Sequence, residues 1–191
     1  TGTGTIALMA AQRMADSVTC PTLKIDAIDI DEASAAEAAQ NFDNSPWAEL
    51  MSASHASLKE YDASLDPEVR YDHIFSNPPY FEDSLKGPDG QRNTARHTDT
   101  LSIHELLEKV AALLTPDGRF SVVLPFEQTG HLVNVAAACG LYPSRHTAVV
   151  TRPGLPPKRT LMEFRHNPIH YRPDELVIEL ERHVYSEDYI A

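Results

Sequence analysis

The sequence contains few cysteines and no long run of apolar residues. Its two cysteines, Cys20 and Cys139, lie far apart and show no metal-ligand spacing, so we expect free thiols in a reducing cytoplasm rather than a disulfide. Nothing resembles a signal peptide, and the longest apolar runs, such as Ser121 to Pro125, are far too short to cross a bilayer. These absences predict a cytoplasmic protein with no membrane contact.

Positive charge is also scarce, and the formal net charge at pH 7 is -12. This balance argues against a protein that coats nucleic acid nonspecifically, because phosphate binding needs concentrated positive charge. Between Leu141 and Arg172, however, Glu163 is the only acid beside six basic residues: Arg145, Arg152, Lys158, Arg159, Arg165 and Arg172. This basic stretch is either a solvated surface or a patch that meets phosphates. The histidines show no convincing metal-ligand pattern, so we expect no metal site.

The length and the order of the elements predict one α/β domain over residues 1–191. Short apolar segments alternate with helical ones, which predicts a Rossmann-like, mostly parallel sheet with helices on both faces. The chain opens on Thr1-Gly2-Thr3-Gly4, and no residues before this turn could form the strand that such a turn normally follows. We therefore expect the first strand of the fold to be missing from this chain.

Local patterns place most of the elements. Apolar spacing predicts a helix from Ile6 with Met9 and Met14 in the core, and Ser102 to Glu105 forms a capping box that starts another helix. The remaining expected elements are strands at Leu23 to Asp29, Tyr71 to Ser76, Phe120 to Leu124, Thr147 to Val150 and Leu161 to Phe164, and helices at Glu32 to Phe42 and Glu127 to Cys139.

The glycine turn fits the loose pattern G-x-G-x-x-G/A, in which the missing side chains let a ligand approach the backbone at a helix N-terminus. Asp29 lies 25 residues after Gly4 and ends the next strand, where its carboxylate can accept ribose hydroxyls of an adenosine ligand. We expect Ile30 to lie against the adenine and Asp31 to cap the following helix. Dinucleotides and S-adenosylmethionine both suit this arrangement.

A second motif, Asn77-Pro78-Pro79-Tyr80, directly follows the strand that ends at Ser76. An exocyclic amine on adenine is a poor nucleophile because its lone pair is conjugated into the ring. The Asn77 side-chain oxygen and the Pro78 carbonyl can accept its two hydrogens and hold the lone pair in line with a methyl donor. Pro79 stiffens the turn, and Tyr80 offers a ring for stacking on the base, with Phe81 beside it.

Taken together, these residues resemble class I S-adenosylmethionine-dependent amino methyltransferases. More narrowly, the chain is similar to the bacterial tRNA-Val adenine-37 N6-methyltransferase family. The resemblance spans nearly the whole chain and rests on Thr1 to Gly4, Ala27 to Asp31, Ser45-Pro46-Trp47, Ser76 to Phe81, Ala95-Arg96-His97, Leu113 to Gly118, Val123-Leu124-Pro125, Pro157-Lys158-Arg159 and Tyr185-Ser186-Glu187.

The resemblance implies N6-methylation of an adenine in the anticodon loop of tRNA-Val, with S-adenosylmethionine as cofactor and no obligate protein partner. It implies cofactor contacts at Thr1, Gly2, Thr3, Gly4, Asp29, Ile30 and Asn77. The target amine would lie at Asn77, Pro78, Pro79 and Tyr80, and the substrate RNA would also meet Phe81, Arg92, Arg96, Lys158 and Arg159. Many relatives place an acid near the cofactor adenine where this chain has Ser54-His55-Ala56-Ser57.

Other functions stay open at this point. A protein glutamine, as in a release factor, presents the same planar NH2 group to Asn77 and Pro78. Bases in rRNA or DNA do so as well. Outside this reaction class, the glycine turn alone would suit an NAD-dependent oxidoreductase, and the basic stretch alone would suit a catalytically silent RNA-binding module.

Overall fold

The computed structural model describes residues 1–15, 23–78 and 101–190. The chain divides into two compact units, an N-terminal unit over Thr1–Pro67 and a C-terminal unit over Glu68–Ala191. We describe each unit by itself, and the single-domain organisation stays a prediction. In the part of the chain described, no helix has the length and apolar character needed to cross a membrane.

In its described residues, the N-terminal unit has three α-helices, a short 3₁₀-helix and a two-stranded parallel sheet. Its elements are α1 (Thr5–Ala15), β1 (Ile25–Asp29), α2 (Glu32–Asp43), a short 3₁₀-helix (Ala48–Leu50), β2 (Met51–His55) and α3 (Leu58–Ser64). Strands β1 and β2 pair in parallel, with Ile25 opposite Met51 and Asp29 opposite His55. The expected strand ending in Asp29 and the helix starting at Glu32 are thus confirmed.

The core of this unit is small. Ala27, Ala38 and Phe42 are buried together, and Ala7, Leu8, Met51 and Ala53 pack against them. Helix α1 therefore turns Ala7, Leu8 and the fully buried Ala11 inward. The expectation that Met9 and Met14 lie in the core is wrong, since 51% and 39% of their surfaces are exposed. Two of the three inward side chains are alanines, whose small size permits close packing of α1.

The C-terminal unit carries the larger sheet. Its elements are β3 (Tyr71–Ser76), α4 (Ile103–Leu113), β4 (Leu114–Pro125), a short 3₁₀-helix (Phe126–Gln128), α5 (Thr129–Ala138), β5 (Tyr142–Val150), β6 (Arg159–Arg165), β7 (Asp174–Val177), β8 (Glu179–Glu181), β9 (Val184–Tyr185) and α6 (Glu187–Ile190). Ser102 caps α4 through the expected capping box, and Gly140 follows α5 at φ +74°. The elements after Arg172 were not anticipated from the sequence.

The five strands of the larger sheet are arranged in the order β3-β4-β6-β5-β7. The β3–β4 and β5–β7 pairs are parallel, whereas β6 is antiparallel to both of its neighbours. The sheet is mixed because β6 follows β5 through a hairpin connection, which reverses the chain. The predicted α/β class is confirmed. In the larger sheet β3, β4, β5 and β7 run in the same direction, and β6 runs in the opposite one.

Strand directions define a carboxyl edge of the five-stranded sheet, the edge at which β3, β4, β5 and β7 end and β6 begins. Along β4 and β6 buried side chains alternate with partly exposed ones, as expected for strands packed on one face. The buried set comprises Phe120, Val122, Leu124, Thr160, Met162 and Phe164. Residues 115–118, expected to lie outside the strand, belong to β4. Beside them, the register of the β3–β4 pair shifts between Tyr71 and His73.

Candidate active site

The glycine turn is held by hydrogen bonds on both sides. The Gly4 N–H donates to the Thr1 carbonyl at 3.2 Å, and the Asn41 side chain on α2 donates to the Thr3 carbonyl at 2.9 Å. Both glycines have positive φ, +56° at Gly2 and +79° at Gly4, a region that side chains other than glycine rarely adopt. The turn thus needs glycine at both positions for its backbone conformation.

The two glycines differ in what surrounds them. A Cβ atom added to Gly4 would lie 2.5 Å from Cε1 of Phe42, whereas a Cβ added to Gly2 would meet nothing within 4 Å. Gly4 therefore lets helix α2 pack against the turn. Gly2 leaves open space above its backbone, which is the condition for close approach of a ligand.

Asp29 binds the glycine turn directly. Its Oδ2 accepts from the Thr1 nitrogen at 2.6 Å and from the Gly2 N–H at 2.7 Å, and its Oδ1 accepts from the Asp31 N–H at 2.9 Å. Burial by itself raises the pKa of this carboxyl, but the hydrogen bonds from the Thr1 nitrogen and from the Asp31 and Gly2 N–H groups outweigh it and lower the pKa. Asp29 is therefore ionised at neutral pH.

These contacts leave Asp29 little further capacity as an acceptor. An ionised carboxylate offers about four lone-pair positions, and three N–H groups already use Oδ1 and Oδ2. Among the described residues, no second donor occupies Oδ1, so this atom could accept a ribose hydroxyl. Asp29 is thus both a structural anchor of the turn and a candidate acceptor for a single hydroxyl.

Of the two neighbours of Asp29, Asp31 has the predicted capping role, and the contact of Ile30 with adenine stays a prediction. Asp31 is the N-cap of α2 and accepts from the Ser34 N–H at 2.8 Å. Ile30 lies between the two acids and exposes 59% of its surface. Its carbonyl lies 3.1 Å from the His55 Nε2, a contact between residues 25 positions apart that no local pattern indicates. His55 thereby contacts the backbone of the turn that presents Ile30.

In the C-terminal unit, Asn77 follows β3 at the carboxyl edge. Ser76 is paired with Val122 on β4, so Asn77 is the first residue beyond the paired part of the strand. Asn77 is exposed and Pro78 is buried. A buried proline directly after the strand fixes the backbone there, and the exposed amide of Asn77 lies on the solvent side of the edge.

Lys158 and Arg159 lie at the same edge. Arg159 starts β6 opposite Pro125 at the end of β4, and the Lys158 carbonyl accepts from the Phe126 N–H at 3.2 Å. β3 and β6 are two strands apart in the sheet, so the strand spacing places Arg159 about 10 to 15 Å from Asn77. Lys158 and Arg159, the two predicted substrate residues, thus lie at the same carboxyl edge of the sheet as Asn77.

The rest of the basic stretch is more neutral than its sequence implies. Arg152 Nε lies 3.2 Å from Glu179 Oε2, Arg165 Nε lies 3.3 Å from Glu163 Oε1, and Arg145 lies 3.9 Å from Asp174. Asp174 and Glu179 come after Arg172 in the sequence, and β7 brings them back beside β5. The positive balance of the segment is therefore partly cancelled in the folded unit.

His73 on β3 is the titratable side chain nearest to Asn77 along this strand. Its Nε2 lies 2.9 Å from the Ser121 hydroxyl, and its ring contacts that of Phe75. Burial first, and then the charge of Arg119, lower the pKa of His73 to about 4. His73 is therefore neutral at pH 7, and it forms part of the packing of β3 against β4.

Five predicted site residues lie outside the described part of the chain: Pro79, Tyr80, Phe81, Arg92 and Arg96. Their roles stay predictions. Within residues 1–15, 23–78 and 101–190, no group of three or more His, Cys, Asp and Glu side chains could hold a metal ion.

Comparison with solved structures identifies the fold as that of class I methyltransferases. A predicted O-methyltransferase from Agrobacterium tumefaciens matches with a TM-score of 0.64 at 17% identity, covering 98% of this chain and 82% of that protein. TrmN from Thermus thermophilus matches with a TM-score of 0.56 at 20% identity, covering 86% of this chain and 41% of that one. No protein-family model matches the sequence.

Curated relatives have much higher sequence identity to this chain than these solved structures have. A Bacteroides fragilis protein named tRNA1(Val) (adenine(37)-N6)-methyltransferase is 45% identical over 190 residues, which cover 100% of this chain and 77% of that protein. A Parabacteroides distasonis protein of the same name is 46% identical over 192 residues, again with 100% and 77% coverage. The chain belongs to the tRNA1(Val) (adenine(37)-N6)-methyltransferase family, and the resemblance inferred from its motifs is confirmed.

Proposed function

We propose that this chain transfers a methyl group from S-adenosylmethionine to N6 of adenine 37 in the anticodon loop of tRNA1(Val). The observation that carries the proposal is the 45% identity over the whole chain to a curated enzyme named for this reaction. Membership of a methyltransferase family leaves the oxidoreductase and the silent RNA-binding module without support. We place the reaction in the cytoplasm, the compartment favoured by the wide sequence separation of Cys20 and Cys139.

The N-terminal unit supplies residues that suit the cofactor. The open space above Gly2 admits a ligand to the backbone, the free position on Asp29 Oδ1 accepts a ribose hydroxyl, and the exposed Ile30 offers an apolar surface for adenine. Thr1, Thr3 and Gly4 complete the turn that fixes Gly2 and Asp29. When bound, S-adenosylmethionine supplies the electrophilic methyl group on its sulfonium.

The C-terminal unit supplies the acceptor groups for the amine. In our proposal Asn77 Oδ1 and the Pro78 carbonyl each accept one hydrogen of the adenine NH2 group. These two contacts orient the nitrogen lone pair and become stronger as positive charge develops on nitrogen. No general base is required, since the N-methylated cation is acidic enough to release its proton to water. Pro79 stiffens the turn, while Tyr80 and Phe81 flank the base.

The substrate is a folded RNA loop, so its target base must leave the stack before it reaches Asn77. Lys158 and Arg159 at the carboxyl edge would bind phosphates beside the target, and Arg92 and Arg96 would extend this contact. A few directed contacts of this kind suit the overall charge of -12, because an acidic protein binds RNA only where cations are concentrated.

The decisive experiment is methyl-label transfer by the full-length protein to unmodified tRNA1(Val), with nucleoside analysis of the product. Asn77→Ala should lower kcat by roughly 100-fold to 1000-fold, the usual effect of removing one group that stabilises developing charge. Cofactor affinity, measured by calorimetry, should stay near that of the wild type. Asn134→Ala is the matched control, because this exposed asparagine lies on α5, and it should leave the rate unchanged.

Parallel reactions with a release factor, rRNA and DNA separate this function from the alternatives. Label that appears on release factor glutamine and not on tRNA would overturn the proposed substrate. Normal turnover by the Asn77→Ala enzyme would contradict the proposed role of Asn77. It would not contradict the proposed identity of the substrate.

A further inference from the structure

The loop of residues 151–158, here called the β5–β6 loop, lies at the carboxyl edge beside the strand ends described above. β5 and β3 both end at this edge, and the loop returns the chain into β6 two strands away from Asn77. Two strand spacings correspond to about 10 Å. The loop is therefore within reach of the nucleotides next to a base held at Asn77, rather than of that base itself.

The backbone of the β5–β6 loop is fixed at several points. The Lys158 N–H donates to the Val149 carbonyl at 2.9 Å and closes the loop, and the Leu155 N–H donates to the Arg152 carbonyl at 3.2 Å. Gly154, which lies between Arg152 and Leu155, has a φ of +78°. Three prolines, at positions 153, 156 and 157, further restrict the backbone angle φ. The loop is thus built to present its tip in one conformation.

Leu155 occupies that tip and exposes 49% of its surface. A single exposed leucine is ordinary on a protein surface, so exposure alone carries no argument. Leu155 differs because its backbone is held rigidly at the edge that carries Asn77. Two basic residues follow Leu155 closely in the chain, the exposed Lys158 and the adjacent Arg159. An apolar side chain beside basic ones suits a partner that has an apolar surface next to phosphates. A nucleic acid base flanked by its backbone has this chemistry.

We propose that Leu155 is an apolar wedge that contacts a nucleobase adjacent to the target adenine and stabilises the unstacked state of a folded RNA loop. The inference rests on the proposed function and adds to it a residue that promotes base extrusion. Apolar side chains inserted at a base step compensate for lost stacking, and extrusion is least costly when the base is already single-stranded. Leu155 should therefore matter for a folded loop and not for an unstructured strand.

The test compares two RNAs with the same loop sequence, an anticodon stem-loop and an unstructured oligonucleotide, as substrates of the full-length enzyme. Leu155→Ala should lower kcat/KM on the stem-loop roughly tenfold, the effect of losing about half of a stacking contact. On the unstructured oligonucleotide the change should stay below about twofold, because no stacked state has to be disrupted. Leu155→Met should restore activity on the stem-loop, since methionine fills a similar apolar volume.

Ile169→Ala is the matched control. Ile169 is 50% exposed, but it lies between β6 and β7, at the opposite edge of the same sheet. It should leave both substrates unaffected. Equal effects of Leu155→Ala on the two RNAs, or none on either, would overturn the wedge. The absence of any effect would be expected if the loop met a protein instead. Absence of methylation of both RNAs by the wild-type enzyme would overturn the proposed function itself.

Discussion

The N-terminal unit and the C-terminal unit hold their candidate site residues in different ways. In the N-terminal unit the candidates bind one another, since Asp29 accepts directly from Thr1 and Gly2. In the C-terminal unit Asn77 and Arg159 are placed by the ends of paired strands. A site made of mutual hydrogen bonds loses several contacts when one residue changes. A site made of strand ends keeps its framework, and a substitution removes only the side chain concerned.

Gly4→Ala tests the first half of this comparison and should have the largest effect. The added methyl group would lie 2.5 Å from Cε1 of Phe42 and 3.3 Å from the Ala38 Cβ, inside the small core of the N-terminal unit. Overpacking costs about 1 to 3 kcal/mol, and the left-handed backbone adds about 1 to 2 kcal/mol. Urea unfolding should therefore show a loss of roughly 2 to 5 kcal/mol.

Gly2→Ala is the matched control for this substitution. It carries the same kind of backbone strain, about 1 to 2 kcal/mol, but its Cβ meets nothing within 4 Å. Its main consequence should be weaker cofactor binding. Equal losses of stability in the two variants would show that contact with Phe42 does not determine the need for glycine at position 4.

Asp29→Asn is the next largest test, because an amide cannot accept all three N–H groups that the carboxylate binds. Loss of a hydrogen bond to a charged group costs about 1.5 to 3 kcal/mol, so the Kd for S-adenosylmethionine should rise by roughly tenfold to 150-fold in calorimetry. Asp31→Asn is the control, since asparagine is an equally good N-cap. A normal Kd for Asp29→Asn would exclude Asp29 from the cofactor site.

The pKa of Asp29 also predicts how binding and stability depend on pH. The N–H groups of Asp31 and Gly2 help to hold the folded-state pKa below the ordinary value of 3.8. The stabilisation from the ionised carboxylate is therefore fully present above about pH 4 and is lost as the pH falls through the lowered folded-state pKa. Cofactor affinity should show no titration of Asp29 between pH 5 and pH 8.

Contacts between residues close in sequence were predictable, and contacts between distant residues were not. Asp31 caps α2 by accepting from Ser34, three residues away, and such a pattern can be seen in the sequence alone. The bond from Asn41 to Thr3 spans 38 residues, and no local pattern indicates it. For the same reason the exposure of Met9 was missed, because the inward face of α1 depends on what α2 presents to it.

The same limit applies to charge. Counting residues from Leu141 to Arg172 indicated a basic patch, but Glu179 neutralises Arg152 from outside that window. Asn77 was the opposite case: the end of an apolar strand is a local feature, and the prolines that follow it are read directly from the sequence. The position of Asn77 at a strand end could thus be predicted because it depends on one segment, whereas the charge balance of the basic stretch could not, because distant strands contribute to it.

Lys158→Ala and Arg152→Ala give the smallest expected effect and sharpen the second half of the comparison. Both residues belong to the β5–β6 loop, but Arg152 is paired with Glu179 at 3.2 Å. If Lys158 binds one phosphate, its loss should reduce the slope of log K against log salt for tRNA by about 0.7 to 0.9. Arg152→Ala should change the slope less, because its charge is already balanced.

Filter binding from 50 to 200 mM salt, a range over which phosphate contacts weaken strongly, provides the measurement. Equal slopes for both variants and the wild type would mean that Lys158 binds no phosphate and that other residues supply this contact to the RNA.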